Sequence, residues 1–183
     1  LNLRDSAFTV TSVLTTTGFV TSDYEGWPAL TLVLLFTVTF IGGCAGSTAG
    51  GIKQVRLLLV VRHAIMQTSR MLHPRQVKVL KLDHRAVSPE VMQSVLGFTI
   101  LFLACFLVGT LLLAATGLDL ITSGSAAAAC LTTLGPGLGE VGPMDNYAAL
   151  SYFAKLVLAM VMLLGRLEIY TVLVLFFTTF WRK

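Results

Sequence analysis

Apolar residues run through this chain in blocks that are either too short or too long for a plain membrane helix. The first block, Ala7 to Leu14, follows Asp5 and Ser6, which can cap a helix start. Such a helix is too short to cross a hydrocarbon core of ~30 Å, so it must enter and leave on the same side. A polar turn, Thr21-Ser22-Asp23-Tyr24-Glu25-Gly26, returns the chain to the surface and places Tyr24 and Trp27 as interfacial aromatics. From Pro28 the apolar character runs to about Val61, and at about 1.5 Å per residue that stretch would be a helix of roughly 50 Å. Something has to interrupt it. The run Gly42-Gly43-Cys44-Ala45-Gly46-Ser47-Thr48-Ala49-Gly50-Gly51 holds five glycines in ten residues, and each weakens a helix by roughly 1 kcal/mol relative to alanine. Unwound backbone at membrane depth is tolerable only where it is buried in protein or lines water.

The pattern then returns. Ser88-Pro89-Glu90 opens a full-length span through Phe98, Phe102 and Phe106 to about Thr116. Asp119 precedes a second short segment, Leu120 to Leu131, and Glu140 to Asn146 form the returning loop. Tyr147 to Trp181 is a second over-long apolar stretch, broken by Leu163-Leu164-Gly165-Arg166-Leu167-Glu168, with Trp181-Arg182-Lys183 as a cytoplasmic anchor. The chain divides accordingly into three parts. Residues 1–63 hold a short helix, turn and broken helix; 64–89 are a basic linker; 90–183 are a complete helix, short helix, turn and broken helix. The expected fold class is an all-α integral membrane protein of repeated helix–pore loop–helix units. Leu1-Asn2-Leu3-Arg4 has no signal-peptide pattern, and the first short helix lacks a preceding span, so a fragment of a longer chain is expected.

Composition excludes an ordinary soluble domain: 55% of the 183 residues are hydrophobic, 12% are charged and mean hydropathy is +0.83. The net charge of +4 is unevenly spread. Lys53, Arg56, Arg62, Arg70, Arg75, Lys78, Lys81 and Arg85 crowd one connection, which the positive-inside rule makes cytoplasmic. Asp23, Glu25, Glu140 and Asp145 follow the two short segments; they either concentrate cations at an outer mouth or simply solubilise loops. Cys44, Cys105 and Cys130 lack a C-x-x-C spacing and read as packing residues. His63, His73 and His84 lack metal-ligand spacing.

The candidate chemistry lies just after each short segment. Thr16, Thr17, Gly18 and Phe19 in one, and Thr133, Leu134, Gly135 and Pro136 in the other, read as ion filters. Successive carbonyls can face a cation only if the backbone alternates in handedness, and glycine enters the left-handed region without a Cβ clash. The first run matches in type the potassium-channel filter TVGYG, whose carbonyls replace the ion's water. The helix C-terminus behind each filter adds partial negative charge.

The glycine run, with Gly42, Gly43, Gly46, Ser47, Thr48, Gly50 and Gly51, reads as a gate. Its alternative is a small-xxx-small ladder of Gly42, Gly46 and Gly50 for close helix packing; the internal repeat favours the gate. Arg166 is either a positive barrier on the inner side of the filter, a structural pair for Glu168, or a snorkelling side chain. A phosphate loop fails because Ile52 intervenes before Lys53, and a nucleophile elbow fails because Ala45 and Ala49 flank Ser47. A membrane-embedded enzyme lacks a base near Ser47. A non-conducting structural subunit remains the alternative, and tolerance of substitution in the filters would reveal it.

The glycine run followed by Ile52-Lys53, the filter Thr16-Thr17-Gly18-Phe19, the segment Leu134-Gly135-Pro136-Gly137-Leu138-Gly139-Glu140-Val141 and the segment Gly165-Arg166-Leu167-Glu168 resemble the TrkH family. These are the membrane subunits of bacterial Trk potassium uptake systems. The resemblance implies four helix–pore loop–helix repeats around a pseudo-fourfold pore, of which this chain would supply the third repeat's pore loop and second helix and all of the fourth. It implies a multi-pass protein of the bacterial inner membrane with K+ as the transported ion, by channel or symport, and no organic cofactor. It further implies a homodimer, a cytosolic nucleotide-binding TrkA-like ring as partner, and no nucleic acid. Residues 42 to 51 would be the obstructing loop and Arg166 its neighbouring charge. Leu134 and Pro136 depart from the channel pattern, which implies weaker discrimination against sodium.

Overall fold

The computed structural model describes residues 2–72, 80–82, 85–167 and 169–176. Its helices are α1 (Leu3–Leu14), α2 (Ala29–Ile41), α3 (Gln54–Leu72), α4 (Pro89–Ala114), α5 (Leu120–Leu131), α6 (Tyr152–Arg166) and α7 (Ile169–Phe176). Two-residue strands β1 (Lys81–Leu82) and β2 (Arg85–Ala86) pair antiparallel between α3 and α4. Short helix, turn and broken helix therefore occur twice, with α4 between them. His73, Arg75, Lys78, His84, Glu168 and the tail Trp181-Arg182-Lys183 lie outside the described residues.

Several boundaries differ from the sequence expectation, each for a local reason. The first short helix starts at Leu3, with Asn2 rather than Asp5 or Ser6 at its N-cap; Asp5 falls in the first turn, where its charge still complements the helix dipole. The basic linker is in good part helix. Between Gly51 and Pro74 there is neither glycine nor proline, so α3 runs on to Leu72 instead of ending near residue 63. The last over-long stretch starts late because it has two caps in series. Asn146 accepts from the Ala148 amide at 2.9 Å and closes a 3₁₀ turn, and Ser151 accepts from the Ala154 amide at 3.2 Å to open α6. The glycine ladder is not a helix face. Of the Gly42, Gly46, Gly50 ladder, the first two take φ of 66° and 81°, and Gly51 beside the third takes 79°, values an α-helix excludes.

α5 is the centre around which the second half packs. Its Ser-Gly-Ser-Ala-Ala-Ala-Ala sequence has little side chain, so α4 and α6 approach closely, and every residue from Ser125 to Leu131 is buried. Gly165 of α6 sits so near the Leu131 carbonyl that a Cβ would collide with it. Phe102, 2% exposed, and Leu113, fully buried, seal the α4 side, while Ile100, Leu107 and Leu111 face outward. Among the described residues α4 is the one helix long and apolar enough to cross a membrane unaided. α1 is far less enclosed, with Phe8 and Val10 exposed.

Candidate functional site

The ends of α1 and α5 turn in the same way, bond for bond. The Thr15 and Thr132 amides donate to Thr11 and Ala128 carbonyls, each at 2.9 Å. Thr16 and Thr133 donate to Val13 and Cys130, each at 3.1 Å. Thr17 donates to Ser12 at 2.9 Å and Leu134 to Ala129 at 2.8 Å. These bonds pin the turn and force the next residues out of helical geometry. Thr16 and Thr133 adopt φ of 52° and 54°, and Gly18 and Gly135 adopt 76° and 111°. The left-handed positions thus alternate, but the sequence reading had given them to glycine alone. A β-branched residue there costs on the order of 1–3 kcal/mol, and it persists only where the surroundings over-determine it. The same strain appears at the same place in both turns.

The two turns also meet. A Cβ on Gly18 would collide with the Leu134 carbonyl and lie 3.3 Å from Pro136 Cδ, so the two candidate filter strands are neighbours. The second strand is better enclosed: Thr132 and Leu134 are buried, whereas Thr15 and Thr17 are exposed and Phe19 is 70% exposed. Thr15 and Thr17 share a hydroxyl hydrogen bond of 2.7 Å.

Beneath them lies the glycine loop. Its neck is closed by Ile52 donating to the Phe40 carbonyl at 3.0 Å and Gln54 to Gly43 at 3.2 Å. Its far side reaches the strands: the Gly50 amide donates to Thr16 Oγ1 at 2.9 Å. A Cβ on Gly50 would collide with the Thr132 carbonyl and lie 2.6 Å from Thr133 Oγ1. Arg166 Nη1 donates to the Thr48 carbonyl at 2.7 Å, so the arginine of the second unit holds the loop of the first. A cavity of about 450 Å³ is bounded by Thr15, Thr16, Thr17, Thr48, Ala49, Thr133 and Arg166. A second, of about 260 Å³, lies on the loop's other side, against Ser47 to Gly51, Lys53, Arg56, Phe98 and Gly165. A Cβ added at Gly46 would meet nothing within 4 Å, so Gly46 is not a point of close approach to the strands, and Cys44 is exposed rather than the packing residue expected.

Two tyrosines and a glutamate that the sequence reading left out or misplaced hold the strands from outside. Tyr24 is packed against the protein rather than turned outward; it is 6% exposed and its hydroxyl donates to the Gly137 carbonyl at 3.2 Å. Burial, then the charges of Glu25 and Asp23, push its pKa up to about 12, so it remains a donor. Tyr147 donates to the Gly135 carbonyl at 2.7 Å, and its pKa is raised further, first by burial and then by the neighbouring Cys130 thiol. Glu25 accepts from the Gly139 amide at 2.6 Å, tying one return loop to the other. The sequence placed aromatic and acidic residues in both return loops, but at unequal distances from the glycines, and the partners of Tyr24 and Glu25 stand in the other repeat.

Two short helices, each ending in the same strained turn ahead of a broken helix, define a mainly helical membrane protein in which one local arrangement occurs twice. The chain belongs to the TrkH family: the family model described as a cation transport protein matches residues 2–183. It is 42% identical over 181 residues to the Trk system potassium uptake protein TrkH of Salmonella typhimurium, covering 99% of this chain and 37% of that protein. It is 44% identical over 176 residues to the protein of that name from Vibrio parahaemolyticus, covering 96% of this chain and 36% of the other. The crystal structure of the potassium transporter TrkH from Vibrio parahaemolyticus superposes with a TM-score of 0.89 at 43% identity, over 97% of this chain and 37% of that one. The chain thus spans little more than a third of the length of these relatives. They are transporters and not enzymes.

Proposed function

We propose that this chain supplies the third and fourth filter strands and the intramembrane gate of a potassium uptake pathway in a bacterial inner membrane. Residues 1–63 and 90–183 are the two repeat portions and 64–89 the cytoplasmic connection; two further repeats complete a pseudo-fourfold pore. The observation that carries this is the doubled left-handed turn, Thr16 with Gly18 and Thr133 with Gly135, on two adjoining strands. Strained backbone of this kind turns carbonyl oxygens to one side, where they replace the water of an alkali ion.

In this mechanism an ion sheds water at Thr16, Thr17, Gly18, Phe19, Thr133, Leu134, Gly135 and Pro136 and enters the cavity beneath. There it meets the loop from Gly42 to Gly51, which Thr16 and Arg166 hold in place. The Arg166 charge adds a barrier of roughly 2–4 kcal/mol to a cation 4–8 Å away, at an effective dielectric near 20. Conduction needs the loop to move. The protein works as a homodimer under a TrkA-like cytosolic ring, which reaches the gate through the basic end of α3 and the linker. A scan of the filter threonines and glycines in the full-length transporter, read as rubidium uptake in a transport-deficient strain, tests the reading. Uptake that survives every substitution would leave a structural subunit.

A further inference from the structure

The two strands share their first half and part company at the glycine. In the first, the Ser12 hydroxyl of α1 donates to the Phe19 carbonyl at 2.8 Å. Among the described residues no hydrogen bond reaches the Gly18 carbonyl. In the second, Ala129 stands where Ser12 stands and has no hydroxyl to give. The restraint comes instead from the return loop, as Tyr147 Oη donates to the Gly135 carbonyl at 2.7 Å. The held oxygen is therefore one residue earlier, on the glycine itself. Tyr147 packs on the hydrophobic cluster around α5, beside Cys130, so one accepting position of the Gly135 oxygen is taken from the core side. Tyr24 holds the same strand again at Gly137, at 3.2 Å.

Resting on the reading that these strands line a potassium path, we propose that Tyr147 is a positioning residue that weakens the Gly135 carbonyl as an ion ligand and so sets potassium-over-sodium preference. Preference of this kind depends on the number and field strength of the carbonyl dipoles around the ion. A carbonyl committed to a phenol, charge-neutral and shielded from water, gives the ion less than its neighbour on Gly18 does. The two glycine positions are then unequal ligands although their turns are alike. The inequality comes from one oxygen atom on a side chain outside both strands.

The test is the potassium-to-sodium flux ratio of the full-length transporter in liposomes. Tyr147→Phe removes that single oxygen and keeps the ring in its packing. The freed Gly135 carbonyl gives its full dipole to the ion, and discrimination rises about threefold or more. A fluorinated tyrosine at position 147, a stronger donor of the same shape, shifts the ratio the opposite way. It also decides the matter if Tyr147→Phe does not fold. An unchanged or lower ratio in Tyr147→Phe protein that still carries potassium, or no shift with the fluorinated residue, overturns the proposal and leaves the pore reading standing. A wild-type transporter that carries no potassium overturns both.

Discussion

The amide of Gly50 and the hydroxyl of Thr16 lie 2.9 Å apart, joining the glycine loop directly to the strained turn it sits beneath. One side chain thereby serves two elements: its backbone makes the left-handed step and its hydroxyl steadies the loop. Thr16→Val keeps the β-branch and loses the acceptor, and the net cost of the lost bond is about 1 kcal/mol. Basal rubidium flux through Thr16→Val should rise. Thr16→Ser, which keeps the oxygen, should stay near wild type.

Gly50 tolerates no side chain where it stands. A Cβ would strike the Thr132 carbonyl, which belongs to the well-buried strand and has no room to yield. On the proposed reading the loop of Gly50→Ala must retreat from the candidate filter strands, so the full-length transporter should leak potassium. Flux as low as the closed wild type would show that the loop does not obstruct the path.

Arg166 reaches across from α6 to the Thr48 carbonyl at 2.7 Å. Replacing it with alanine removes both the tether and the fixed charge, whereas glutamine keeps a donor and loses the charge. The expected order of basal flux is alanine, then glutamine, then wild type. Equal flux in all three would return Arg166 to a purely structural role.

Glu25 and Gly139 tie the two return loops together, at 2.6 Å. The pair is partly exposed, so water can replace the lost partner. Glu25→Ala should cost only about 1 kcal/mol of stability. Thermal unfolding of the detergent-solubilised protein measures it; a loss several times larger would mean that the contact organises the whole filter.

The gross plan was legible because membrane depth limits what a sequence can do. A short apolar block stays a short helix and an over-long one must break, and both breaks fall at glycine-bearing segments, Gly42 to Gly51 and around Gly165. What stayed hidden involves partners far apart in sequence. Tyr24 reads as an interfacial aromatic until Gly137 is seen beside it, and Glu25 reads as loop solubility until Gly139 is. Threonine in the left-handed region at 16 and 133 was equally invisible, because local propensity argues against it and only the pinned helix ends impose it.

Gly18 carries the account's weight, since its φ of 76° and its contact with Leu134 both exclude a side chain. Gly18→Ala would add about 1–2 kcal/mol of backbone strain and a steric clash in the neighbouring strand. The decisive measurement is potassium flux through the full-length transporter in liposomes, wild type against Gly18→Ala at matched protein content. The expected result is robust flux in the wild type and its near-complete loss in the variant; a correctly folded Gly18→Ala protein that carries potassium at the wild-type rate and selectivity would contradict it.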